Sequence, residues 1–211
     1  MTLLALLRHG DTAWSREGRI QGRTDTVLDA QGRLNLAARR LPARCADWQL
    51  SSSPLQRCLQ TAELVAQAPA RVEYRLAEMQ WGMWEGRKLA ELRRELGDVM
   101  LRNEARGVDF TPQGGESPRQ VLARVRPWLA EIGGGGKPTV AVTHRGVIRV
   151  ILASACGWDM TGKPPVKLDW SALHLFRVDS MGRPRLEEAN VALDRVDPAA
   201  LARALGAAGN G

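Results

Sequence analysis

Two apolar runs in this chain end in the same abrupt way. Residues 3–7 (LLALL) stop at Arg8, His9 and Gly10, and residues 139–143 (TVAVT) stop at His144, Arg145 and Gly146. An unbroken apolar run of this length fits a strand buried on both faces, and such strands belong to a parallel sheet covered by helices on each side. Strands and helices must then alternate along the chain.

A helix is predicted over 29–41, stopped by Pro42, and "WQLSSSP" supplies the next strand. Ser53, Pro54 and Gln56 carry the pattern of a helix start, with a capping serine, an early proline and a capping-box glutamine, and Leu55, Leu59, Ala62 and Val65 line one face of the helix they open. A further strand is expected over 71–75, then a charged helical stretch from Lys88 to about Ala105. Ser117, Pro118 and Gln120 repeat the helix-start pattern before 121–132, where Pro127 predicts a kink, and Gly133–Gly136 reads as a surface loop. After the second apolar strand comes an apolar helix, then two strands over 172–178 and 186–192 joined by a turn at 181–183, and a short terminal helix from Asp197. The expected fold is an α/β three-layer sandwich with a mostly parallel central sheet, as one domain over 1–196 with a tail over 197–211.

The 211 residues suffice for one sizeable core. Three cysteines without CxxC spacing indicate neither a disulfide framework nor a thiolate zinc site, and no HxxxH spacing points to a metal. The apolar N-terminal run, broken at Arg8, is too short for a signal peptide or a membrane span, so a cytoplasmic location and no membrane partner are expected. A net charge of +7 rests almost wholly on arginines spread along the chain, with lysine only at 88, 137, 163 and 167. No basic run or aromatic-interleaved stripe is present, so nucleic acid is not expected as a partner; a basic surface does steer small phosphorylated molecules.

In a parallel sheet the ligand crevice lies at the carboxyl ends of the strands, where His9 and His144 both fall. His174, the remaining histidine, sits inside a strand pattern and is read as structural. Arg57 lies in the first turns of a helix whose free N–H groups already favour an anion, and Arg8 adds a second planar fork suited to phosphate. A neutral imidazole can attack phosphorus, and neighbouring cations keep it neutral. Glu78, just before the "WGMWEG" turn, is the carboxyl group best placed to protonate a leaving oxygen, with burial beside Trp81 or Trp84 holding its proton. Trp14 and Trp84 are candidates to line the pocket, and Trp128 is a core residue.

These residues sit in five blocks that resemble one family. "LLRHGDTAWSREGRIQGRTDTVLDAQG", "SSSPLQRCLQTAEL", "LAEMQWGMWEG", "TPQGGES" and "VTHRGVIRVIL" are similar, in order, to the signature of the histidine phosphatases, which include cofactor-dependent phosphoglycerate mutases. The resemblance implies His9 as the phosphorylated nucleophile, Arg8 and Arg57 as phosphate ligands, His144 as a further phosphate contact and Glu78 as proton donor. It also implies Ser15, Gln21 and Gly22 as substrate-loop residues, the backbone near Gly146 beside the second histidine, and no metal or organic cofactor. Ser15 stands where the family frequently has asparagine, and Asp11 where glutamate or glutamine is commoner. A phosphomonoesterase acting on a small phosphorylated metabolite is the expected function, favoured by the short chain and by "WGMWEG". A phosphoglycerate mutase and a non-catalytic phospho-ligand binding protein are the alternatives.

Overall fold

Strand β1 (Thr2–Arg8) alternates its side chains between two apolar clusters, Leu4 and Leu6 entering one, Ala5 and Leu7 the other. Both faces are therefore covered, as the unbroken apolar run requires. The computed structural model describes residues 1–197. The terminal helix expected from Asp197 onward lies outside them, apart from Asp197 itself. After β1 come a single turn α1 (Ala13–Arg16), α2 (Ala30–Ala37), β2 (Arg39–Arg40), β3 (Gln49–Ser52), α3 (Gln56–Ala66) and β4 (Arg71–Val72). The chain continues with α4 (Leu89–Leu96), α5 (Asp98–Glu104), α6 (Pro118–Gly135), β5 (Thr139–Thr143), α7 (Arg145–Cys156), β6 (Leu173–Val178), β7 (Pro184–Val191) and β8 (Asp194–Arg195).

Six strands form one sheet in the order β4-β3-β5-β1-β6-β7. The first four run parallel, and β6 and β7 add antiparallel at the β1 side. Helices α6 and α7 cover one face through Val121, Val125, Leu129, Ile148 and Ile151. Helix α3 covers the other through Cys58, Ala62 and Val65, with Leu36 of α2 packed beside it. The three-layer α/β sandwich with a mostly parallel sheet is thus present. No helix among the described residues is long and apolar enough to cross a membrane.

Local departures from the sequence reading have physical causes. Gly133–Gly136 is not a loop: α6 runs unbroken through Pro127 to Gly135 and ends at Gly136 in a left-handed conformation. Gly133 lies so close to the turn between β6 and β7 that a Cβ would stand 1.9 Å from the Asp179 carbonyl oxygen, so the glycine serves close approach. The stretch 88–105 is two helices because Gly97, at φ +47°, turns the chain between them. The strand expected over 71–75 is only two residues long, succeeded by a 3-10 turn at 74–76. Helix α2 stops at Ala37, where the chain departs to pair β2 with β8. Trp84 is buried in a small cluster with Leu92 and Met100, which removes it from the pocket-lining candidates, while Trp128 is core as expected.

Leu6 is 0% exposed at the centre of the larger cluster, so Leu6→Ala is expected to cost about 2–5 kcal/mol, read as a lower urea midpoint with an unchanged m value. Leu34 on α2 is 53% exposed, and the same change there is expected to stay within about 0.5 kcal/mol.

Candidate active site

The parallel ladder continues one bond beyond the strands. The His9 N–H donates to the Thr143 carbonyl at 3.0 Å, and the Ser53 N–H donates to the Val142 carbonyl at 2.9 Å. His9, His144 and Ser53, the first residues past β1, β5 and β3, therefore share one edge. Their positions result from the register that pairs Arg8 with Thr143 and Ser52 with Val142.

The two imidazoles are buried with ring centroids 5.2 Å apart and planes at 61°. His9 Nδ1 lies 2.7 Å from the Gly10 carbonyl, which only accepts, so Nδ1 carries the proton and Nε2 is left with a lone pair. Burial, and after it the charges of Arg8 and Arg57, hold His9 well below the usual histidine range. His144 is lowered likewise, by burial first and then by Arg57. Its Nε2 is 2.7 Å from Ser53 Oγ and 3.4 Å from Cys58 Sγ. Ser53 is thus not a helix cap. The N-cap position of α3 is Leu55, without a side-chain bond, and the Gln56 N–H is met instead by the Asp25 carboxylate at 2.7 Å.

Arg57 is fully buried. Its Nη2 donates to the Gly22 carbonyl at 2.7 Å and its Nη1 to the Thr24 carbonyl at 2.9 Å. Its Nε has no acceptor among the described residues, an unmet buried donor beside the histidines that suits a phosphoryl oxygen. The loop that supplies those carbonyls is held by Glu85, whose carboxylate accepts the N–H groups of Arg23 at 3.0 Å and Thr24 at 2.9 Å and the Thr24 hydroxyl at 2.6 Å. Gln21 Oε1 accepts the hydroxyls of Thr12 and Thr26 at 3.0 and 2.7 Å, which leaves its NH2 end as the donor for a ligand. Ser15 is committed to α1: with Thr12 it forms a capping box, its Oγ accepting the Thr12 N–H at 2.9 Å. Arg8 is mostly buried and stands 3.9 Å from Asp11.

Glu78 is buried, and that burial raises its carboxyl above the usual range despite the N–H groups of Met79 and Gly146 and the nearby Arg57 and Arg124. Met79 N–H donates to Oε1 at 2.8 Å and Gly146 N–H to Oε2 at 3.2 Å. A Cβ at Gly146 would lie 2.3 Å from Oε1, so only glycine lets α7 approach the carboxyl this closely. The Arg124 side chain from α6 donates to the carbonyls of Ala77 and Glu78 at 2.8 and 3.1 Å and pairs with Glu116 at 2.8 Å. Glu116 also meets Arg23 at 3.2 Å.

All of His9, His144, Arg8, Arg57, Gly22 and Glu78 thus belong to one connected set, with Gln21 at its loop. Ser53, Glu85, Glu116, Arg124 and Arg23 join them without having been singled out for this purpose. Ser53 carried a signal that pointed to a different role, and Glu116 lay within "TPQGGES"; Arg124 had no local signal. His174 is structural as read, buried against Trp170 with Nδ1 accepting the Asn190 N–H. A crevice of about 1020 Å³ opens next to the histidine strand between α2 and residues 167–171. Arg8, His9 and Gly10 are among its walls, whereas Glu78, Arg57 and His144 are not.

Residues 4–192 match the family model described as histidine phosphatase superfamily (branch 1). A glucosyl-3-phosphoglycerate phosphatase of Mycolicibacterium vanbaalenii is 31% identical over 176 residues, covering 76% of this chain and 77% of that protein. Phosphoserine phosphatase 1 of Hydrogenobacter thermophilus is 32% identical over 170 residues, covering 76% and 79%. A solved mycobacterial glucosyl-3-phosphoglycerate phosphatase in complex with VO3 superposes with a TM-score of 0.74 at 27% identity, covering 91% of this chain and all of that one. With the fold, the paired histidines and a match over nearly the whole described length, the chain belongs to branch 1 of the histidine phosphatase superfamily.

Proposed function

We propose that this protein is a cytoplasmic phosphomonoesterase that hydrolyses a small phosphorylated metabolite through phosphorylated His9. The observation that carries this reading is the state of His9: buried, neutral, its proton held on Nδ1 by Gly10, so that Nε2 is the nucleophile beside two guanidiniums. Substrate phosphate lies on Arg8, Arg57 Nε, the Gln21 NH2 and His144. Nε2 of His9 attacks phosphorus while the bond to the ester oxygen breaks. The protonated Glu78 carboxyl gives its proton to that oxygen and the alcohol leaves. Water then attacks the phosphohistidine, Glu78 takes a proton from it, and inorganic phosphate is released with His9 and Glu78 restored. The arginines face charge that the phosphoryl group carries throughout, and Arg57, held by the Gly22 and Thr24 carbonyls, needs little reorganisation. The relatives named as phosphatases support hydrolysis over phosphate return to a second acceptor.

Removing the nucleophile should abolish turnover. His9→Ala is expected to lower kcat for p-nitrophenyl phosphate by about 10^4-fold or more and to form no acid-labile phosphoprotein. Wild-type turnover is expected to continue in a chelator. Substantial turnover by His9→Ala, or interconversion of phosphoglycerates in place of phosphate release, would sink the hydrolase reading.

The pH dependence is set by the two directions of shift. His9 is lowered, so its protonation removes activity only well below the ordinary histidine range. Glu78 is raised, so it keeps its proton to higher pH than an ordinary carboxyl and loses it only above that. The kcat profile for an alkyl phosphate is expected to fall on the basic side as Glu78 ionises. In Glu78→Gln that dependence should vanish, with kcat down about 10^2–10^4-fold on alkyl esters and much less on p-nitrophenyl phosphate, whose leaving group needs little protonation.

A further inference from the structure

Glu116 takes no part in the phosphoryl transfer, yet its carboxylate ties together the two segments that border the proton donor. Oε1 takes Arg124 Nε at 2.8 Å, while Oε2 takes Arg124 Nη2 at 3.1 Å, the Gln80 N–H at 3.1 Å and Arg23 Nη2 at 3.2 Å. The Glu116 N–H returns a bond to the Gln80 carbonyl at 2.8 Å. Arg124 reaches the carbonyls of Arg75, Ala77 and Glu78, and Arg23 Nε lies 3.4 Å from the Glu78 carbonyl. Beside the Thr143 hydroxyl, which donates to the Leu76 carbonyl at 2.8 Å, these bonds to residues 75–80 run through Glu116 or through a guanidinium that Glu116 balances.

We propose that Glu116 is a positioning residue for the proton donor: one carboxylate, shared by Arg124 and Arg23, fixes the peptide that carries Glu78 and cancels the charge of the two guanidiniums bordering it. This rests on the reading of Glu78 as the acid. The charged and titratable groups around Glu78 are Arg57 and Cys58 from α3, Arg8 from the end of β1, Arg124 from α6 and Arg23 from the substrate loop, with His9 and His144 neutral beside them. From α7 comes the Gly146 N–H. These surroundings are predominantly cationic and favour the Glu78 carboxylate, so a compensating negative charge on Arg124 and Arg23 preserves the protonated acid. Glu116 is itself ionised, its burial outweighed by the Arg124 hydrogen bonds and charge.

Glu116→Gln keeps the shape and removes the charge. Its basic limb in the kcat profile for β-glycerophosphate is expected to move down by about one pH unit, giving roughly a tenfold loss above the limb. The loss on p-nitrophenyl phosphate should be smaller. Glu116→Asp, which keeps the charge, should restore the wild-type limb. Arg23→Gln, which leaves Glu116 wholly to Arg124, should move the limb the opposite way. A purely structural role would lower the melting temperature and leave the limb in place. A folded Glu116→Gln with the wild-type limb, or an Asp variant no better than Gln, overturns the proposal; if Glu116→Gln does not fold, an unmoved limb in Arg23→Gln does so. Glu78→Gln tells the two levels apart. If it retains full activity on both esters, the acid assignment itself has failed; if it loses the limb while Glu116→Gln does not shift it, only the Glu116 proposal has.

Discussion

A guanidinium withdrawn completely from water must find oxygen atoms or carry a penalty of several kcal/mol, and the site is arranged around that need at Arg57. Two of its edges are met by carbonyls of residues 22 and 24, which no helix or strand would otherwise hold in place. The loop is held because Glu85 clamps its N–H groups, and because its Asp25 reaches over to cap the helix on which Arg57 itself sits. Three segments far apart in the chain thus depend on one buried charge. The remaining N–H of that charge has no acceptor among the described residues, and in the proposed function it is the one that takes a phosphoryl oxygen.

Desolvation is used in both directions within a few residues. It lowers His9 and His144 and raises Glu78, in each case disfavouring the charged form of the group within the same cationic pocket. Arg57 is already secured by main-chain oxygens, so under the proposed function a phosphate dianion need not displace an internal counter-charge from it.

How much of this was legible depended on whether the information was local. The strands carrying His9 and His144 were readable because apolar runs that end at a histidine leave few alternatives in a parallel sheet. The starts of α3 and α6 show the limit. Ser53-Pro54-Leu55-Gln56 and Ser117-Pro118-Arg119-Gln120 have the same pattern, and the second forms the capping box that the pattern predicts. At the first, Asp25 from a distant loop takes over the helix end and Ser53 turns to His144. Arg124 and Glu116 escaped notice for a related reason. Their partners at 75–80 lie more than thirty positions away, and a charged residue on a helix face reads as solvated until the fold is known. The family resemblance carried the roles of single residues further than spacing did; the capping box that Ser15 forms with Thr12 was not part of that reading.

The glycine-rich end of α6 has a bearing on the motions of the molecule. Each glycine in a helix interior costs about 1 kcal/mol relative to alanine, so residues 133–135 are helical against their own preference. Their order comes from docking: Gly133 lies against Asp179 at the β6–β7 turn, and its carbonyl accepts the Thr2 hydroxyl at the outset of β1. The last turn of this helix and the outer hairpin of the sheet are therefore packed as one unit, at the end of the sheet opposite the histidines. The edge that carries His9, His144 and Ser53 lies at the other end of these strands, on the parallel ladder at the centre of the core.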